Sequence, residues 1–191
     1  MSGTKFLKIF IKSPGTIGAI CPSSTFLAKM ITAGIGVEEA SAIVELGPGT
    51  GVFTSCILHM KKPDSKFFAV ELNKDFYDTF KQKFPEVKIY NENATGLNSM
   101  ARRENIESVD VIICGLPWAA FPAQLQDDLL NAISDVLTPG GCFTTFAYLQ
   151  GVLLPAGMRF KKTLKKHFSS VETSRTEWRN FPPAFVYRCY K

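Results

Sequence analysis

Ile43-Val44-Glu45-Leu46-Gly47-Pro48-Gly49-Thr50-Gly51 is an apolar run ending in a corner with glycine at alternate positions. A short apolar, β-branched stretch such as Ala42 to Leu46 is the pattern of a parallel strand buried on both faces. Glycine lets the backbone turn there and lets a ligand approach it closely. Beyond Gly51, Val52 to Leu58 carries apolar residues at helical spacing, so the unit reads strand, loop, helix. The amide-rich end of that helix points at whatever occupies the loop. A dinucleotide fingerprint needs a third glycine where Val52 stands, and no Gly-Lys-Ser/Thr of a phosphate loop follows.

A second apolar run, Phe67-Phe68-Ala69-Val70, ends in Glu71, 20 residues beyond Gly51. An acid at such a strand tip can accept both hydroxyls of a ribose. The pattern Glu45-x-Gly47-x-Gly49-x-Gly51, joined to Glu71, resembles the first motifs of the class I S-adenosylmethionine-dependent methyltransferases. The resemblance implies that Glu45, Gly47, Pro48, Gly49, Thr50 and Gly51 wrap the methionine end of the cofactor and that Glu71 and Leu72 hold its ribose. Asn93 and Ala94, after a third strand, would meet the adenine; relatives usually carry an acid where Asn93 stands. Gly115, after the fourth strand, completes the expected cofactor set.

The chain has 191 residues, 46% hydrophobic and 20% charged, enough for one domain with a substantial core. No apolar run is long enough to span a bilayer, and the start lacks a signal-peptide pattern, so a cytoplasmic location is expected. Five cysteines are scattered without Cys-x-x-Cys spacing and read as reduced, buried small residues. With only His59 and His167 as imidazoles, no metal site is expected. Residues 1–37 carry +4 and residues 155–191 carry +7, leaving −6 between them out of a net +5. Basic ends around an acidic middle call for an anionic partner, either nucleic acid or a membrane surface.

In chain order, Thr4 to Lys12 is amphipathic at helical period, with Lys5, Lys8 and Lys12 opposite Phe6, Leu7, Phe10 and Ile11. It reads either as a membrane-interface helix or as a cap on the domain core. Ser23 or Ser24 caps a helix over 25–33. Further helices are expected over about 74–84 and 124–137, and another from Pro155 onward, whose Arg159, Lys161, Lys162, Lys165 and Lys166 form either a solvated face or a lipid-phosphate contact. Strands are expected at 87–90, 109–114 and 142–148, with Pro139-Gly140-Gly141 as a turn, and a terminal hairpin of 171–177 with 184–190. The fourth strand ends in Gly115-Leu116-Pro117-Trp118, where parallel α/β sheets place their chemistry. Amino-methylating families often begin this corner with a polar residue; here Gly115 replaces it. Trp118 is either an aromatic face for a cationic amine or a tryptophan packed beside a turn. Strands alternating with helices predict a single α/β domain with helices on both faces of the sheet.

Gly18-Ala19-Ile20, Pro22-Ser23-Ser24, Val70-Glu71-Leu72-Asn73, Gly115-Leu116-Pro117 and Asn180-Phe181-Pro182-Pro183-Ala184 together resemble the bacterial phospholipid N-methyltransferases that act on phosphatidylethanolamine, and their ornithine-lipid relatives. The resemblance implies a Rossmann-like sheet of seven strands, mostly parallel with the last antiparallel, comprising a membrane-binding helix at 1–13, a lid region at 14–36 and a core at 37–191. It implies peripheral attachment to the inner face of an anionic membrane, and methyl transfer from S-adenosylmethionine to the head-group amine of an aminolipid, leaving S-adenosylhomocysteine. Tyr148 is expected to orient the amine, with Pro117 and Trp118 as the opposite wall. Ile20, Ser23, Arg179, Tyr187 and Arg188 are expected to bind substrate, the last three through its phosphate. An rRNA adenine dimethyltransferase is the alternative, less favoured because of Gly115; a cofactor-binding protein without turnover is another.

Overall fold

The computed structural model describes residues 24–152 and 155–191. The amphipathic stretch 4–12, Ile20 and Ser23 lie outside them. Seven strands form one sheet: β1 (Ala42–Leu46), β2 (Lys66–Val70), β3 (Lys88–Tyr90), β4 (Val109–Cys114), β5 (Leu137–Tyr148), β6 (Ser170–Thr173) and β7 (Ala184–Tyr190). Their spatial order is β3-β2-β1-β4-β5-β7-β6. Neighbours are parallel from β3 through β5, while β7 runs antiparallel to both β5 and β6. The expected Rossmann-like sheet, with its last strand antiparallel, is what the chain forms.

All five residues of β1 are buried, because both faces of the central strand are covered by helices. The helices are α1 (Thr25–Thr32), α2 (Val52–Met60), α3 (Lys74–Lys83), α4 (Leu97–Arg103), α5 (Ala123–Val136), α6 (Leu149–Val152) and α7 (Pro155–His167). Ile43 of β1, Val111 and Ile113 of β4 and Val186 of β7 pack against α1 and α2. Val44, Leu46, Ile112, Phe143 and Tyr187 face the other way, onto α4, α5 and α7. Alternate residues of each strand therefore feed two separate cores.

Caps explain several boundaries. The Ser24 hydroxyl accepts from Leu27 N and starts α1, and the Asn73 side chain accepts from Asp75 N and Phe76 N to start α3. Two expectations need adjustment. β5 begins earlier than Cys142: Leu137 already pairs with Val109, and Pro139-Gly140-Gly141 forms an irregularity within the strand rather than a turn before it. β6 is shorter than 171–177, because the Ser174 hydroxyl accepts from Val186 N in place of a strand carbonyl, and pairing resumes only at the Glu177 to Ala184 bridge.

Candidate active site

The spatial order reverses between β1 and β4, so the loops after these strands lie side by side at their carboxyl ends, where open α/β sheets bind ligands. Gly115 N donates to the Leu46 carbonyl at 2.7 Å, and Gly47 N donates to Val70 at 2.8 Å. A Cβ on Gly115 would stand 2.5 Å from the Gly47 oxygen. Glycine at 115 is thus a steric requirement, since any side chain would force the two loops apart. Gly51 has φ of +77°, and a Cβ there would sit 2.2 Å from the Phe84 ring. Phe84, just past α3, props the loop from below, while Lys83 Nζ donates to the Thr50 carbonyl.

Two acids flank this loop. Glu71 follows β2; its Oε1 accepts from Asn73 N at 2.9 Å and its Oε2 from Gly49 N at 3.4 Å. Burial raises its pKa, and these amide hydrogen bonds oppose the rise. Glu45 is fully enclosed: the Thr54 hydroxyl donates to Oε2 at 2.6 Å, and buried Oε1 has no hydrogen-bond partner. Burial pushes the Glu45 carboxyl up to about 8, the Thr54 hydrogen bond opposing and the charge of Glu71 adding to the rise. An enclosed acid with an unsatisfied oxygen beneath a glycine corner fits a ligand that brings positive charge. Above Gly49, a Cβ would meet nothing within 4 Å, so the loop is open on the side where a ligand would lie. Asn91 Nδ2 donates to the carbonyls of Glu71 and Leu72, fixing the tips of β2 and β3. Asn93 Oδ1 accepts from Thr95 N as a cap, and Ala94 is buried behind it.

The expected substrate residues divide. Tyr148 stands half-buried at the tip of β5, its ring edge-on to Phe146 at 5.4 Å, on the α1 side of the sheet. Pro117 lies at the corner, partly exposed. Trp118 is not an open wall: it is 3% exposed, stacked on Phe160 of α7 at 4.6 Å, with Phe121 and Phe143 at its edges. Its Nε1 donates to the Thr145 hydroxyl at 2.9 Å, which donates onward to the Cys114 carbonyl. The short 3₁₀ turn over Trp118–Ala120 tucks the indole under α7, where it packs the corner. Tyr187 is likewise buried, against Phe160 and Phe185, and burial raises its hydroxyl pKa to about 12. Arg188 donates through Nη2 to the carbonyls of Met30 and Ala33, closing the end of α1. The Tyr187 side chain is enclosed, and the half-buried Arg188 guanidinium is engaged by backbone carbonyls. Arg179 is exposed, but its guanidinium makes two hydrogen bonds to Glu177, at 2.8 Å each, and lies 3.9 Å from the Phe26 ring. Thr54, Phe84, Thr145 and Glu177 went unnoticed in the sequence because each acts only through a partner distant in the fold or hidden in a loop.

A groove of about 350 Å³ at the other ends of the strands, lined by Ser41, Asp110 and Gly141 among others, is remote from this chemistry. Asp110 there already accepts from the amides of Ser41 and Ala42. No cluster of metal-ligating side chains occurs among the described residues, and no helix among them is long and apolar enough to cross a membrane.

The reversed strand order, the glycine corner and the paired acids define an α/β protein that uses S-adenosylmethionine. The chain belongs to the methyltransferase domain family, whose sequence model matches residues 43–141. An ornithine lipid N-methyltransferase of Singulisphaera acidiphila is 30% identical over 187 residues, which cover 96% of this chain and 93% of that protein. Ribosomal RNA small subunit methyltransferase A of a Hydrogenobaculum species is 28% identical over 121 residues, 63% of this chain and 45% of its own. Among solved structures, the O-methyltransferase from Bacillus cereus in complex with SAH superposes with a TM-score of 0.68 at 12% identity, covering 98% of this chain and 90% of that one. It bears out the fold.

Proposed function

We propose that the protein transfers methyl groups from S-adenosylmethionine to the head-group amine of a membrane aminolipid, of the ornithine-lipid or phosphatidylethanolamine kind. The observation that carries this reading is the alignment with the ornithine lipid N-methyltransferase along nearly the full length of both chains. The similarity to the ribosomal RNA enzyme stops well short of that span. Glycine at 115 supports the same choice: the adenine-methylating corner begins with a polar side chain, and there is no room for one here.

In this reading Gly47 to Gly51 hold the methionine end of the cofactor, Glu45 lies beneath its positive charge, and Glu71 and Leu72 take the ribose. Asn93, Ala94 and Gly115 border the adenine and the transfer point. The bound cofactor supplies an electrophilic sulfonium methyl. Catalysis by the chain is then chiefly positioning and exclusion of water, since an amine needs only to be neutral and in line. Tyr148 orients the amine from the β5 tip, and Pro117 confines it from the β4 corner. Contact with the membrane comes from the basic helix α7 and from the N-terminal stretch 1–13, on the cytoplasmic side of an anionic membrane.

The test is incubation with labelled S-adenosylmethionine and either anionic liposomes containing an aminolipid or ribosomal RNA. Label in lipid is expected. Label in RNA alone would reject the proposal.

A further inference from the structure

We propose that the loop joining β6 to β7, residues 174–183, is an aromatic wedge that enters the head-group layer of an anionic phospholipid bilayer. Trp178 is 70% exposed and Phe181 82% exposed, the two most exposed large apolar side chains among the described residues. Tryptophan and phenylalanine at a loop tip suit the membrane interface, where an apolar ring is buried without crossing the bilayer. Nothing within the described residues covers either ring, yet the loop is firmly built. Asn180 is 2% exposed; its Nδ2 donates to the Pro182 carbonyl at 2.7 Å, and its Oδ1 accepts from Ser24 N at 3.0 Å. Glu177 accepts from both the side chain and the backbone amide of Arg179. A braced loop that holds two aromatic rings in water bears a standing cost that contact with lipid removes.

Charge and position select the bilayer over other partners. Arg179 neutralises the single acid of the loop, and Arg175 beside it is exposed. Exposed Arg159, Lys161 and Lys162 on α7 add to the positive field. The loop also adjoins the proposed transfer point: Leu149 N donates to the Pro183 carbonyl at 2.9 Å, and Tyr148 pairs with Ala184. Phe26, stacked beneath Arg179, and Leu149, hydrogen-bonded to Pro183, are further exposed apolar residues that touch the loop, at 42% and 39%. The wedge, which takes its occupant from the aminolipid reading above, would set Tyr148 at head-group depth.

The two tryptophans make the test direct, because Trp118 is buried and Trp178 is not. The full chain is titrated with vesicles of phosphatidylglycerol and phosphatidylethanolamine while tryptophan emission is followed. A blue shift, quenched by lipids brominated in the upper acyl chain, is expected. Phe181→Ser should weaken vesicle association about tenfold, the loss of one ring from the interface, with S-adenosylhomocysteine affinity unchanged. Methyl transfer to aminolipid with no shift in emission would overturn the wedge alone. A shift without any transfer to aminolipid would support the wedge and overturn the substrate assignment. A blue shift that grows with protein concentration in the absence of vesicles would assign the rings to a second copy of the chain and overturn the wedge.

Discussion

Replacing Glu45 by Gln removes a carboxyl that is enclosed without a partner for Oε1 and whose proton the folded chain holds up to about pH 8. In the unfolded chain the same proton leaves near pH 4.5. Between these values the folded state binds more protons than the unfolded one, so the Glu45 contribution makes the protein less stable as pH rises, and it levels off above about 8. Each pH unit within that window is worth at most about 1.4 kcal/mol, so from pH 5 to pH 7.5 the native chain should lose about 3 kcal/mol that E45Q does not. Glu71 also has its pKa raised and is present in both proteins, so the difference between them reports Glu45 together with its coupling to Glu71. Urea unfolding of the cofactor-free proteins at several pH values measures it. Parallel stability profiles would refute the reasoning, because the carboxyl would then titrate alike in both states. A second readout follows from the cofactor's positive charge: wild type should release a proton when it binds S-adenosylmethionine near pH 7, and E45Q should not, as calorimetry in buffers of different ionisation enthalpy would show.

Gly115→Asn should destabilise the chain by about 1–3 kcal/mol in thermal or urea unfolding, the cost of overpacking against the Gly47 carbonyl, and should abolish cofactor binding; a stable variant that gains activity on RNA would contradict the steric account. Trp118→Phe loses the hydrogen bond to Thr145 and should cost about 1–3 kcal/mol of stability with little change in KM for the amine, whereas a KM effect without a stability effect would restore the tryptophan as a substrate wall. Tyr148→Phe should lower kcat more than tenfold while leaving S-adenosylhomocysteine affinity unchanged, and wild-type turnover in this variant would remove Tyr148 from the site.

The glycine corner, Glu71 and the run of strands were legible because each is a local pattern: a buried strand is a short apolar run, and a loop that meets a ligand or another loop shows its glycines. The side of the sheet a residue faces was not legible where both sides are covered. Alternation along β7 separates Tyr187 from Arg188, but nothing local says that α7 buries the first and that the end of α1 engages the second. The burial of Trp118 is illegible for the same reason, since its stacking partner Phe160 lies 42 residues further along and the docking of α7 sets its surroundings. Gly115 shows the reverse case. As sequence it looked like a missing polar group, and the structure supplies the reason: the Gly47 carbonyl occupies the space.

Helix α1 is held at its start by Asn180 and at its end by Arg188, both from the strand pair that closes the chain. Helix α1 and the β6–β7 hairpin with its connecting loop therefore behave as one mechanical part. Substitutions in the 174–183 loop and substitutions near Ser24 should combine non-additively, and proteins descended from a common ancestor should exchange these two segments together or not at all.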